Sequence, residues 1–257
     1  MSIPPFIKIL RRDALYLIFL GSNVGTMFSL ATALLCVSAL LPHAARGIPA
    51  KNHPTLVNLR IEGAKHTIFE STVVTMGHNL TTASGGTHHC DGTNFGANKF
   101  PGPTCTSALN DAAAAHGFQW DATFFTEFDD YFITSIDHTT ETDTKSWGLL
   151  LNFNLTQVGG CQQEVNGTDH ILWAFDAFNA KHFLKLDGPT EVKKGVPATF
   201  VVTDGKTEDF VEGASVHGKT SGANGAVVIT FGTKGVEGLK ATLDGSIRSN
   251  RVDVKVY

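Results

Sequence analysis

Residues 55–74, TLVNLRIEGAKHTIFESTVV, contain two runs in which apolar and polar residues alternate. In the first run Val57, Leu59 and Ile61 share one face of an extended strand, because successive side chains of a strand point to opposite sides. The second run, TIFESTVV, follows after the short segment GAKH. Two such runs joined by a short turn predict an antiparallel hairpin.

A helix is predicted next, through SALNDAAAAH at residues 107–116. Its consecutive alanines have high helix propensity, and Thr106 or Ser107 can cap its first turn. Gly117 follows directly and is a typical C-terminal stop signal.

Further strands are predicted after the helix, at residues 131–136, 147–153 and 170–178. The element order is then ββαβββ. A hairpin followed by a crossing helix and returning strands, with the helix over one sheet face, is the plan of a β-grasp fold. We therefore predict an α+β, β-grasp-like domain over residues 48–184.

The segment KLDGPTEVKKGVPA, residues 185–198, indicates a domain boundary because it combines turn signals with a polar run. Short strands are predicted beyond it, in ATFVVTD, GASVHGK, GAVVITF, GLKATL and VDVKVY. Asn224-Gly225, between two of these segments, is a strong hairpin signal. Regularly spaced strands without a helical pattern predict an all-β immunoglobulin-like sandwich over residues 185–257.

The composition fits a globular, turn-rich β protein. Apolar residues make up 42% of the 257 residues, which is enough for hydrophobic cores, while 17% are charged and 26 are glycine. The net charge of −4 gives no positive field that would attract phosphates. We therefore expect no nucleic-acid partner.

The N-terminal segment, residues 1–47, has the features of an export signal. Its apolar run, residues 14–45, contains no Asp, Glu, Lys or Arg and is preceded by Lys8, Arg11 and Arg12. One interpretation is an uncleaved membrane anchor, since the run is about long enough to span a bilayer. The interpretation that we favour starts at Met27 and is a signal peptide, with Ala45 and Gly47 at the −3 and −1 positions of the cleavage site.

Both interpretations place the chain after residue 47 outside the cytoplasm, so we predict a secreted or cell-surface protein. N-x-S/T sequons at Asn79, Asn154 and Asn166 are consistent with this location and predict N-glycosylation.

Residues 84–105, SGGTHHCDGTNFGANKFPGPTC, could form either a metal site or a stapled loop. His88, His89 and Cys90 are consecutive and cannot all reach one tetrahedral zinc ion without contortion. We therefore expect a disulfide-anchored loop here, and neither a metal nor another cofactor.

Cys36 would leave with the signal, so the mature chain keeps Cys90, Cys105 and Cys161. In an oxidising compartment a disulfide is expected, and the odd number leaves one cysteine unpaired or paired outside the chain. Pairing Cys90 with Cys105 would close a loop of roughly 15 residues and contribute about 3 kcal/mol.

The segments VNLRIEG, TIFESTV, DDYFITSI, WGLLLNF and GTDHILWAFDAF occur in this order between residues 55 and 178. Together they resemble the C-terminal domain of the cobalamin carriers transcobalamin and intrinsic factor. The segments THHCDG and VGGCQQEV resemble a subgroup of secreted proteins in which an immunoglobulin-like module follows this domain. The resemblance implies a β-grasp-like fold and a role in binding.

The resemblance also implies a disulfide between Cys90 and Cys161, because the cysteines of THHCDG and GGCQQ recur in that subgroup. Cys105 would then be left over, and the local alternative is Cys90 with Cys105. The carriers hold cobalamin between this domain and a helical barrel. These 257 residues contain no such barrel, so we do not expect cobalamin.

Candidate functional residues lie between the helix and the boundary. Asp129 and Asp130 precede a predicted strand, but no positioned histidine can be named beside them, so a polar turn is favoured over an acid/base pair. Aromatic rings can stack on sugars or planar ligands. The candidate ligand contacts are Tyr131, Trp147 and Trp173, of which Tyr131 and Trp147 are expected nearest an exposed edge.

The sequence therefore predicts a non-catalytic extracellular binding or interaction protein. Its partner would be a small molecule, a glycan or another protein, with a membrane added only if the N-terminal segment stays as an anchor. The alternatives are an extracellular hydrolase that uses Asp129 and Asp130, and a structural protein of the cell wall.

Overall fold

The computed structural model describes residues 52–257. The predicted signal segment, residues 1–47, and the alternative start at Met27 lie outside this range. The described chain is mostly β, with several sheets and one α-helix. No helix within it is long and apolar enough to cross a membrane.

The first part of the described chain contains the helix. Its elements are β1 Thr55–Glu62, β2 Thr67–Thr75, β3 His78–Thr82, β4 Gly86–Cys90, α1 Cys105–His116, β5 Trp120–Phe125, β6 Asp130–Ile136, β7 Thr139–Thr140, β8 Trp147–Leu151, β9 Asn154–Leu155 and β10 His170–Phe175.

The second part contains strands alone. They are β11 Leu184–Asp187, β12 Glu191–Val192, β13 Pro197–Asp204, β14 Ser215–Val216, β15 Lys219–Thr220, β16 Ala226–Thr230, β17 Gly235–Leu239, β18 Ala241–Thr242 and β19 Val252–Val256.

The largest sheet has the strand order β2-β1-β10-β8-β9. The predicted hairpin is confirmed, since β1 and β2 pair antiparallel with Val57 opposite Val73 and Leu59 opposite Ser71. On its other side β1 runs parallel to β10, which pairs antiparallel with β8. Two strands from opposite ends of this part of the chain therefore lie side by side at the sheet centre.

The first hydrophobic core lies between this sheet and α1. Leu59 and Ile61 of β1 and Leu109 and Ala112 of α1 are fully buried in it. Because alanine is small, the helix can lie close to the sheet at Ala112.

Of the two residues that cap α1, the sequence pattern predicted the one at the C-terminal end only. The N-cap is Thr104 and not Thr106 or Ser107, because Ser107 closes a capping box with Thr104 from inside the first turn. The predicted stop is confirmed, since Gly117 adopts the left-handed conformation with φ 79°.

The predicted ββαβββ sheet differs from the structure in two respects. The segment between β2 and α1 is not all loop, because β3 and β4 form a hairpin with His78 opposite Cys90. In addition, β6 does not join the large sheet but pairs with β5 and β7. Strand β5 was not predicted from the sequence, and it takes up main-chain hydrogen bonds of β6.

The second core is built by small sheets with the orders β11-β13-β16, β12-β19-β17 and β15-β14-β18. Phe200, Val202 and Val254 are fully buried within it. The hairpin predicted at Asn224-Gly225 required the segments on either side of it to pair with each other, and this pairing is wrong. A turn forms there, but β16 then pairs with β13, while β15 pairs with β14.

A buried carboxylate links the two cores. Glu62, at the end of β1, is 1% exposed, and its oxygens accept hydrogen bonds from Lys240 Nζ at 2.6 Å and Arg248 Nε at 2.8 Å. Burial lowers the pKa of the neighbouring Arg60. Both cores lie in one compact unit of the chain, and the domain boundary between residues 184 and 185 stays a prediction.

We predict that Glu62→Ala lowers the free energy of unfolding by about 3–5 kcal/mol, because Arg248 would lose its carboxylate partner and Lys240 would keep only Glu70, both in a partly buried place. The matched control is Glu191→Ala, which removes an exposed pair with Lys255 and should cost at most about 1 kcal/mol. Urea denaturation followed by tryptophan fluorescence measures both. Equal losses for the two variants would contradict this role of Glu62.

Candidate functional site

A groove of about 560 Å³ opens beside the start of β1. Its walls come from residues 53–56, 98–103 and 164–167. Leu56 and Phe100, with exposed fractions of 53% and 37%, provide apolar surface at this groove. The volume is typical of a site for a small organic molecule.

The Cys90–Cys161 disulfide anchors the loops that form two of these walls. It joins the end of β4 to the loop before β10, so the pairing that the resemblance implied is confirmed. The N–H of Gly92 donates to the carbonyl of Cys161 at 3.0 Å and extends the connection. Cys105 is a free, buried thiol, and burial raises its pKa well above the usual value. The local alternative, Cys90 with Cys105, is therefore wrong.

The carboxylate of Glu164 lies at the groove and has no hydrogen bond or ion pair with any residue of the range 52–257. It packs against two glycines. A Cβ atom added to Gly92 would lie 2.7 Å from Glu164 Oε1, and a Cβ atom added to Gly102 would lie 2.9 Å from the same oxygen. Burial raises the pKa of Glu164, and the charge of Asp91 adds to this shift. A partly buried carboxylate without a partner is a candidate contact for a ligand.

Asn94 is buried and holds the loop that leads into the groove wall. Its side-chain nitrogen donates to the carbonyls of His89 at 2.8 Å and Asp129 at 2.9 Å. Its side-chain oxygen accepts from the N–H of Asp91 at 3.2 Å. Asn94 was not predicted from the sequence, in which the turn-forming composition of DGTNFG is its only signal.

His89 lies between two carboxylates on the outer side of this loop. Its Nε2 is 3.1 Å from Asp129 Oδ2 and its Nδ1 is 3.4 Å from Asp91 Oδ1. The N–H of Phe95 also donates to Asp129 Oδ2, at 2.8 Å. These contacts fix the loop. Within residues 52–257, no group of three histidine, cysteine or acidic side chains is arranged to hold a metal ion.

Asp130, the second predicted carboxylate, is buried close to the disulfide. It accepts hydrogen bonds from the N–H of Tyr131 at 2.7 Å and the N–H of Cys161 at 3.1 Å. Burial raises the pKa of Asp130 to about 7, although these N–H groups act in the opposite direction. Asp130 therefore supports the turn from inside and presents no oxygen to an open cleft.

The three aromatic ligand candidates all lie in the first core. Tyr131, Trp147 and Trp173 have exposed fractions of 5%, 4% and 4%. The expectation that Tyr131 and Trp147 lie nearest an exposed edge is therefore wrong. The Tyr131 hydroxyl lies 2.8 Å from the carbonyl oxygen of Leu80 and accepts from the N–H of His88, which fixes the β3–β4 hairpin over β6.

The asparagines of the three sequons, Asn79, Asn154 and Asn166, are exposed. This exposure leaves room for a glycan at each of them, and glycosylation stays a prediction. Asn166 also lines the groove.

A second concavity, of about 250 Å³, is lined by charged side chains that already pair with one another. Lys145 Nζ lies 2.7 Å from Asp176 Oδ2, and Arg248 binds Glu62. The groove beside Glu164 is therefore the better candidate for a binding site.

No known protein family matches the chain, and no curated protein matches it.

We predict that the protein loses stability as the pH rises from about 4 to about 7, because the folded state keeps the proton of Asp130 longer than the unfolded state does. The slope from this group is at most about 1.4 kcal/mol per pH unit. Asp130→Asn should remove it, while Asp143→Asn, at an exposed position, should not. Urea midpoints across this pH range measure the effect, and an unchanged slope in Asp130→Asn contradicts it.

Proposed function

We propose that the protein is an extracellular, non-catalytic binding protein whose ligand site is the groove beside Glu164. The observation that carries this proposal is the carboxylate itself, which lies partly buried in a mostly apolar groove without a partner in the described chain. A carboxylate that no side chain of the described chain engages, in a mostly apolar groove, is available to a group from outside.

The disulfide supports the extracellular location, because such bonds persist in oxidising compartments. The exposed sequon asparagines are also consistent with passage through the secretory route.

We further propose that residues 48–184 form a β-grasp-like domain related to the C-terminal domain of the cobalamin carriers, followed by an immunoglobulin-like sandwich over residues 185–257. The parallel pair β1 and β10, flanked by antiparallel β2 and β8 and covered by α1, supports the first assignment. The antiparallel pairs of β13 with β11 and β16 support the second.

The chemistry of the groove favours a ligand with an apolar body and a primary ammonium group. Leu56, Phe100 and Val165 offer apolar contact, while Glu164 offers an acceptor for a positive charge. An ammonium ion would pair with the carboxylate of Glu164 and favour its ionised form. An anionic group beside Glu164 would be repelled, and Lys99 is the lining residue that an anion would have to reach instead.

The direct test uses phenethylamine as the probe, with 2-phenylethanol and 3-phenylpropanoate as neutral and anionic controls. We expect the amine to bind and Glu164→Gln to weaken it about tenfold, the effect of losing one charged hydrogen bond. Glu127→Gln, on an exposed turn away from the groove, is the matched control. Isothermal titration calorimetry gives the affinities, which should rise with pH as Glu164 ionises.

Equal binding of the three probes, or equal affinity of Glu164→Gln and the unmodified chain, would contradict an ammonium site at Glu164.

The hydrolase alternative has less support. Asp129 is bound to His89 and to the N–H of Phe95, and Asp130 is buried beneath main-chain donors. Both carboxylates thus hold the turn before β6. A general acid and base must instead reach the substrate.

A further inference from the structure

Within residues 52–257, strand β2 forms one edge of the largest sheet and pairs with β1 alone. It is Thr67–Thr75, with the sequence TIFESTVVT. An edge strand carries a row of main-chain groups that can pair with another strand. In the described chain, no main-chain hydrogen bond joins this strand to anything other than β1.

The directions of these main-chain groups follow from the ladder on the other side of β1. The carbonyl of Leu56 accepts from the N–H of Thr168, and the N–H of Asn58 donates to Asp169. The main-chain N–H and C=O groups of even-numbered β1 residues therefore point toward β10. Those of odd-numbered residues such as Val57 and Leu59 point toward β2.

Because Leu59 is opposite Ser71 and Val57 is opposite Val73, the odd-numbered residues of β2 bond to β1. The main-chain groups of Glu70, Thr72 and Val74 then point away from the sheet.

The usual protections of an edge strand are weak along β2. Ser71, Thr72 and Val74 are exposed, Val74 by 59%. The only charged residue of the strand is Glu70, and this carboxylate is held by Lys240 Nζ and the N–H of Arg251, each at 2.7 Å. The exposed end of the strand thus has neither a free charge nor a proline to discourage pairing.

The sequence of β2 is nearly symmetric about Ser71. Placed antiparallel to a second copy of itself with Ser71 opposite Ser71, it would set Thr67 against Thr75, Ile68 against Val74, Phe69 against Val73 and Glu70 against Thr72. Every apolar residue then faces an apolar residue, and no like charges meet.

The symmetric register also agrees with the hydrogen-bond directions. It places Glu70 opposite Thr72 twice, and both residues direct their main-chain groups outward. An alternative register with Thr72 opposite Thr72 would instead place the charged Glu70 opposite the apolar Val74. We propose that β2 is an interaction surface for a second copy of this chain, and that two copies join their large sheets edge to edge about a two-fold axis at Ser71.

A disulfide cross-link tests the register. Ser71 would form a non-hydrogen-bonded pair with its own copy, at a Cα distance of about 4.5 Å, which a disulfide can span. In the same dimer the two Val74 residues would lie about 20 Å apart along the strands. We expect Ser71→Cys of the full chain to form a covalent dimer at least about tenfold faster than Val74→Cys under mild oxidation, read on non-reducing gels.

Sedimentation velocity on uncross-linked protein tests the association itself. Thr72→Pro removes an N–H that β1 does not use, so the fold should remain while the dimer dissociates. Thr72→Val keeps that N–H and should leave the dimer intact. Equal cross-linking rates for the two cysteine variants would overturn the proposal, as would a monomer at all concentrations or a dimer unaffected by Thr72→Pro. The last result would point to another surface.

Discussion

The Cys90–Cys161 disulfide is the constraint on which the groove depends. It fixes the end of β4 to the loop before β10 and closes a loop with a sequence separation of 71 residues. In the chain-entropy account such a bond contributes about 4 kcal/mol. The wall residues 98–103 and 164–167 are loops without strand partners of their own in the large sheet. Their positions therefore depend on the covalent link and on main-chain hydrogen bonds, such as that from the N–H of Val165 to the carbonyl of Pro103 at 2.9 Å.

The proposed binding site and the proposed dimer surface use different parts of the same sheet. The groove lies where β1 begins, and its carboxylate, Glu164, stands against Gly92 and Gly102. The dimer surface is the outer edge of β2. Glu62 connects the far end of β1 to the second core through charge pairs. A buried apolar cluster that contains Leu150 and Leu172 of the sheet with Phe183 and Ile247 also joins the two parts.

Local patterns in the sequence predicted the elements better than their partners. Alternation located β1 and β2, and the alanine run located α1, because these signals depend on near neighbours. The parallel pairing of β1 with β10, in which Asn58 is opposite His170, joins distant parts of the chain. The order of the predicted elements was the only indication of this pairing in the sequence. Glu164 was missed because its setting depends on two distant glycines. Trp147 was predicted near an exposed edge but is buried, because a polar loop before a strand does not determine whether the strand's first ring faces the core or the solvent.

Hydrogen exchange on the Cys90→Ser/Cys161→Ser double variant tests the central claim most directly. If the disulfide holds the groove, the amides of residues 91–103 and 159–167 should open locally and exchange faster than in the unmodified protein, while those of α1 and β13 lose only the protection that follows from the fall in global stability, about 4 kcal/mol. Unchanged exchange in the two loops would show that the groove does not need the disulfide. A uniform rise across the chain would show that the bond stabilises the whole fold and has no special relation to the groove.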